Sequence, residues 1–219
     1  MSNLRLKFKK TGRAVYISHL DLMRTMQRSF SRAGLTLKYS EGFNPHPKIS
    51  ILLPLSVGCA SCCELMDFSV NEDFPAEEIV RRLNTSLPEG IEAVSVYEPV
   101  MKCAAMKWLR VKGRLEYDNR EAAELLPLLE VFFSSENIPV EKKSKRGTAV
   151  INLKEHMPEI SVKSENGAVI LEAVISVSGT VINPDVIIAA LKSGAPELAP
   201  DFSAFERICL YNEKFKEFI

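Results

Sequence analysis

Two stretches, Leu4-Arg-Leu-Lys-Phe-Lys-Lys10 and Ser18-His-Leu-Asp-Leu-Met-Arg24, decide how the chain is read. In the first, Leu4, Leu6 and Phe8 alternate with Arg5, Lys7 and Lys9. A period of two places every apolar side chain on one face of a strand. Ser18 then predicts a helix start, because its hydroxyl can accept from backbone amides of the first turn. Asp21, three residues on, makes a weaker version of the capping box. Leu22, Met23, Met26, Phe30 and Ala33 supply the stripe that such a helix buries, and Gly34 supplies its stop.

Working outward, Ile49–Val57 and Glu64–Val70 read as a strand pair. A second helix follows Pro75, with Ile79, Val80 and Leu83 inward, and ends near Gly90. Ile91–Val96 is a further strand, so the order is β-α-β-β-α-β, the ferredoxin-like pattern. Glu98–Ala105, which contains Pro99, reads as a linker. The series then repeats less regularly. Trp108–Tyr117 is strand-like, Arg120–Phe133 helical with Pro127 expected to kink it, and Val140–Leu153 strand-like with a basic bulge. Glu159–Lys163 and Ala168–Val177 flank the hairpin signal Asn166-Gly167. Asn183 is placed to cap a helix with Pro184 at its first position, and Phe205–Tyr211 closes the sheet. The expectation is an α+β fold of two tandem ferredoxin-like domains, residues 1–98 and 106–219, a division that suits 219 residues.

Apolar residues at 46% and charged residues at 26% describe a globular chain rather than a disordered one. No apolar run approaches the ~20 residues that span a bilayer, and no apolar h-region follows Arg5, Lys7, Lys9 and Lys10. A cytoplasmic protein with no membrane partner and with five free thiols is expected. Cys59-Ala-Ser-Cys62-Cys63 resembles half of a metal knuckle. A zinc or iron–sulfur site takes about four ligands, however, and Cys103, Cys209, His19, His46 and His156 offer no second paired spacing. Neither a dinucleotide fingerprint, a Walker A loop, a nucleophile elbow nor a zincin motif occurs, so neither metal nor cofactor is expected.

The net charge of zero conceals opposed blocks. Residues 1–60 hold ten Lys/Arg against two acids, a local charge of +8, and residues 61–100 come to −7. Residues 101–154 return to +4, and residues 155–219 to −5. Either the blocks pair internally, or one face binds anions. On the first helix Arg24, Arg28 and Arg32 recur at i, i+4 and i+8, either a solvated face or a phosphate-contacting one. Asp21 can pair with Arg24, which leaves Arg28 and Arg32 freer. In Tyr39-Ser-Glu-Gly-Phe-Asn-Pro-His-Pro-Lys48 two prolines bracket His46 and stiffen the loop, and Gly42 allows a turn. Tyr39, Glu41, Phe43, Asn44, His46 and Lys48 then offer stacking, hydrogen bonding and a titratable imidazole. Aromatic and cationic groups so interleaved fit single-stranded nucleic acid, although an exposed connection would look the same. Lys142, Lys143, Lys145 and Arg146 form a second basic run.

The segments Tyr16–Arg24, Arg32-Ala-Gly34, Tyr39–Ser50 and Leu53-Pro-Leu-Ser-Val-Gly58 together resemble the radical-SAM-linked protein family. That family is a bacterial domain of unknown function, separate or fused to cobalamin-binding radical SAM enzymes. The resemblance is dense over residues 3–70. Besides the quoted segments match only Glu64, Asp67 and, loosely, Lys142–Leu153, where Asn152 stands at a position the family fills with Asp. It implies a helper or substrate-binding role beside a radical SAM enzyme, often near ribosome- and RNA-processing genes, and no known reaction. A non-catalytic accessory protein that binds RNA (tRNA or rRNA) through a basic face is therefore expected. His19, Arg24, Arg28 and Arg32, the Tyr39–Lys48 loop and the second basic run would make the contacts. Two alternatives are a metal-independent ribonuclease using His19 or His46, and a pure protein–protein adaptor.

Overall fold

A computed structural model describes residues 3–144 and 147–219, with Lys143 and Ser144 described by backbone alone. The chain divides into two units, Met1–Cys103 with Ile219 and Ala104–Phe218. The first holds β1 (Leu4–Lys10), α1 (His19–Arg32), β2 (Ile49–Ile51), β3 (Ala60–Phe68), α2 (Ala76–Asn84) and β4 (Ile91–Tyr97). Its strands lie in the order β4-β1-β3-β2, each neighbouring pair antiparallel. The second holds β5 (Met106–Glu116), α3 (Ala122–Ser134), β6 (Pro139–Ser144), β7 (Gly147–Asn152), β8 (Glu159–Glu165), β9 (Ala168–Ser176), α4 (Asp185–Gly194) and β10 (Phe202–Asn212). Its sheet runs β10-β5-β9-β8, again antiparallel, and β6 and β7 form a separate two-stranded sheet. The fold is α+β, and no helix among the described residues is long and apolar enough to cross a membrane.

In the first unit Leu6 and Phe8 of β1, Met66 and Phe68 of β3, and Ala93 and Val96 of β4 bury against α1 and α2. From α1 come Leu22, Met26 and Phe30, and from α2 Ile79 and Leu83. The rings of Phe30 and Phe68 meet with centroids 4.9 Å apart, tying α1 directly to the sheet. Two basic residues of β1 depart from expectation. Arg5 has a side chain only 1% exposed, and Lys10 is buried as well. Arg5 faces Asp67 across the β1–β3 ladder and donates to it twice, at 2.7 and 3.1 Å, while its remaining Nη1 donates to the carbonyl of Met101. Lys10 Nζ donates to the carbonyls of Val15 and Ile17, closing the turn before α1.

Several boundaries shift for identifiable reasons. β2 stops at Ile51 rather than Val57, just before Leu53-Pro54, where proline offers no amide to a ladder. β3 begins at Ala60, four residues earlier than read. The α2 helix ends at Asn84, because the Asn84 amide leaves the helix to bind both the N–H and the C=O of Ala93 in β4. The helix α3 continues through Pro127 to Ser134. In the second unit Val140–Leu153 is the separate β6–β7 hairpin and not a strand of the main sheet, where β8 takes that place. Asn152 shows why: its Oδ1 accepts from Ile138 and Lys154 while its Nδ2 donates to Glu136, pinching the hairpin shut. Pro184, not Asn183, occupies the cap of α4, without a side-chain cap hydrogen bond. Gly113 lies opposite Phe205 in the β5–β10 ladder, and a Cβ there would sit 2.5 Å from Phe205 Cε1. The ring fills the space that glycine leaves.

Breaking a buried ion pair leaves an uncompensated charge. Asp67 is 33% exposed, so its cost falls at the low end of the usual range. Arg5→Met should destabilise the protein by about 3 kcal/mol in urea titration. An unchanged midpoint would show that the pair contributes nothing to folding.

Candidate functional site

The first helix begins where the sequence places it. Ser18 Oγ accepts from the Asp21 amide at 3.2 Å and donates to Asp21 Oδ2 at 2.7 Å, and Arg24 pairs with the same carboxylate at 3.2 Å. The Ser18 hydroxyl first, and Arg24 after it, hold the Asp21 carboxyl below its ordinary range. The helix ends in a Schellman motif: Gly34, at φ +68°, donates to Ser31, and Leu35 donates to Phe30.

The chain then runs along the end of β3. Leu37 bridges Val70, the Lys38 amide donates to the Ser69 carbonyl, and the Ser69 amide donates to the Lys48 carbonyl. The Thr36 amide donates to Glu72 Oε2 at 2.8 Å, and contacts from Thr36 hold that carboxyl below its ordinary range. Above this, segments 38–40 and 46–48 pair antiparallel. Lys48 donates to Lys38, Tyr39 bridges Pro47, and the Ser40 amide donates to the His46 carbonyl. The His46 amide in turn donates to Ser40 Oγ at 2.9 Å. Ser40 thus clamps both backbone groups of His46 and closes the Glu41–Pro45 loop, which Gly42 turns at φ +120°. Glu41, Phe43, Asn44, His46 and Lys48 are exposed on it; Phe43, at its tip, is fully so, and Tyr39 is 55% exposed at its neck.

Beside the neck lies a cleft of about 230 Å³ between the second half of α1 and the loop. Gln27 and Ser31 line it from the helix, Leu35 and Leu37 from its floor, and Tyr39 and Pro47 from the loop. Gln27, Ser31 and the cleft escape a sequence reading centred on charge. Their i, i+4 spacing beside the arginine stripe was the available signal, but nothing local says that Tyr39 returns to meet them.

Of the ten basic residues before position 60, at least five are occupied within their own unit. Besides Arg5, Lys10 and Arg24, Lys9 pairs with Glu92 at 3.2 Å, and Arg32 donates to the Ser86 carbonyl at 2.7 Å and to Ser29 Oγ at 3.0 Å. Arg32 is therefore a helix-packing residue rather than the free cation expected. Arg13, Arg28, Lys38 and Lys48 make no side-chain hydrogen bond or ion pair among the described residues, and Arg28 is exposed on the outer face of α1. His19 stands apart from the loop. It is the first residue of α1, about 18 Å along the axis from Ser31 at the standard rise, and its Nδ1 is buried without a hydrogen-bond partner. Lys142 lies in β6 of the second unit, while Lys145 and Arg146 fall outside the described residues, as does the side chain of Lys143.

None of the five cysteines is in a disulfide; Cys59 and Cys63 are buried and Cys62 half-buried. Among the described residues no group of three His, Cys, Asp or Glu side chains gathers as metal ligands.

The first unit thus carries an exposed loop closed at its neck by Ser40, beside a cleft lined by both polar and apolar side chains. Residues 3–184 match DUF2344, described as an uncharacterized protein conserved in bacteria, and the chain belongs to this family. Among curated proteins none matches. Among solved structures it is similar to the small subunit of acetolactate synthase from Thermotoga maritima, at 13% identity over 97% of this chain and 98% of that one, with a TM-score of 0.27. An unknown protein from Galdieria sulphuraria is similar at 10% identity over 94% of this chain and 98% of its own, with a TM-score of 0.26. At such scores the likenesses carry no argument about function.

Exposed loop residues contribute little to folding, so His46→Ala should change stability by no more than ~0.5 kcal/mol. Ser40→Ala removes one clamp and should speed hydrogen exchange at the His46 amide while leaving the global unfolding midpoint nearly in place. A large loss of stability in His46→Ala would make the loop a structural brace rather than a presenting surface.

Proposed function

We propose that this protein is a non-catalytic RNA-binding protein, made of two ferredoxin-like units in tandem, that serves a radical SAM enzyme as accessory or substrate-binding partner. The orders β4-β1-β3-β2 and β10-β5-β9-β8 repeat one arrangement of strands, which supports the tandem reading. The radical SAM partner is proposed from the family resemblance, and tRNA or rRNA from the same source together with the residues of the first unit.

The observation that carries the RNA reading is Phe43. A fully exposed aromatic ring costs solvation, and here it stands at the tip of a loop fixed by Ser40 and by prolines at 45 and 47. A loop already ordered loses little entropy on binding. A ring so presented, with Tyr39, His46 and Lys48 below it and Arg28 on the adjoining helix, suits stacking on a base and pairing with phosphate. The ribonuclease alternative is less supported, since His46 has no acid–base partner among the described residues and His19 lies at the other end of α1. An adaptor reading draws on a separate feature. Tyr16, Leu20 and Val57 are exposed around the start of α1, where the Gly58 amide is tied to the Val15 carbonyl.

Filter binding with bulk tRNA at two salt concentrations tests the proposal. Phe43→Ala should weaken binding by ~1–3 kcal/mol with folding intact. Arg28→Glu should weaken it and flatten the salt dependence by roughly one phosphate contact, a slope change of about 0.7–0.9. Wild-type affinity in both variants would remove the loop and helix from any RNA interface.

A further inference from the structure

We infer that the cleft between α1 and the neck of the loop seats one unpaired nucleobase, so that the ligand is single-stranded RNA or an unpaired segment of a folded RNA. The inference rests on the RNA reading above and specifies how that site reads its ligand. At about 230 Å³ the cleft falls below the volume that drug-sized ligands occupy and admits a single planar ring system. Its walls differ in chemistry. The Tyr39 ring and Pro47 offer flat apolar surface on one side, Leu35 and Leu37 close the floor, and Gln27 and Ser31 line the helix side.

Neither the Gln27 amide nor the Ser31 hydroxyl has a hydrogen-bond partner among the described residues. A carboxamide presents a donor and an acceptor side by side, the complement of a base edge, and a hydroxyl serves as either. An aromatic amino-acid side chain would fill the same volume but leave the Gln27 amide without its pair. Arg28 follows Gln27 directly and precedes Ser31 by one turn, on the outward face of the same helix, with its guanidinium unoccupied. That places a cation where the phosphate flanking a seated base would run. Bases held in a duplex are stacked and paired, and cannot enter the cleft without being extruded. Phe43, at the loop tip, then offers a second platform for a neighbouring base.

Fluorescence of 2-aminopurine in a short single-stranded RNA, titrated with the full chain, provides the test, with AMP and N-acetyltryptophanamide as competitors. The single strand should bind at least tenfold tighter than a duplex of the same sequence. Tyr39→Ala and Gln27→Ala should each cost about tenfold, and Tyr39→Phe, which keeps the ring, should bind as wild type. Four results would overturn the base seat while leaving RNA binding in place: equal affinity for the duplex, wild-type affinity in Tyr39→Ala and Gln27→Ala, a Tyr39→Phe defect as large as that of Tyr39→Ala, or competition by N-acetyltryptophanamide equal to that by AMP. Absence of binding by the wild-type chain to any RNA, tRNA included, overturns the RNA reading itself.

Discussion

The pairing of Arg5 with Asp67 is the constraint from which the first unit is hung. A guanidinium taken almost wholly out of water is tolerable only when its donors are satisfied, and here a bidentate carboxylate and the Met101 carbonyl satisfy them. The pair sits directly across the β1–β3 ladder, so it fixes register. A slip of one residue would turn Arg5 into the face that holds Leu6 and Phe8 and expose both. With β3 fixed, Phe68, Ser69 and Val70 follow at defined positions, and they carry the neck of the loop through Lys38, Lys48 and Leu37. The placement of Tyr39 beside Gln27 is thus a remote consequence of an ion pair on the opposite face of the sheet.

What lies beyond the neck is held by different means. No apolar core reaches the Glu41–Pro45 loop, and its order comes from two hydrogen bonds between Ser40 and His46 and from proline's fixed φ. Such bonds contribute on the order of 1 kcal/mol each, enough to choose among loop conformers and too little to matter to global folding. This division lets the loop change chemically without disturbing the unit beneath it. It also removes any folding reason for Phe43 to be aromatic, since its ring is fully exposed.

Much of this was legible from spacing alone, and the failures have common causes. The apolar face of β1, the Ser18 cap, the Gly34 stop and the Asn166-Gly167 turn follow local rules, and each holds, the last with φ of 52° and 73°. Arg5, Lys10 and Arg32 were misread because a count of charges carries no information about burial, and their partners are distant in sequence or are backbone carbonyls. The α2 stop depended on Asn84 reaching Ala93, and the separation of β6 and β7 on Asn152 bridging to Glu136 and Ile138. In each case an asparagine side chain substitutes for backbone, which periodicity does not register. The cleft is the same problem at the level of the site, for it exists only when residues 27–31 and 39–47 are brought together.

The fate of the basic excess bears on how binding would be driven. A local charge of +8 suggests a polyanion held by counterion release, with affinity falling steeply in salt. Once Arg5, Lys9, Lys10, Arg24 and Arg32 are committed within the unit, Arg28, Lys38 and Lys48 remain as unoccupied cations on the elements that form the site, with Arg13 elsewhere in the same unit. A handful of phosphate contacts gives a shallow salt slope, each contributing less than one power of salt concentration. Under the proposed function, affinity in this unit would then come mainly from rings and polar edges, which salt screens weakly. Tyr39, Phe43 and Gln27 are groups of that kind, and in the proposed site they would discriminate unpaired from paired bases where a field of arginines would not.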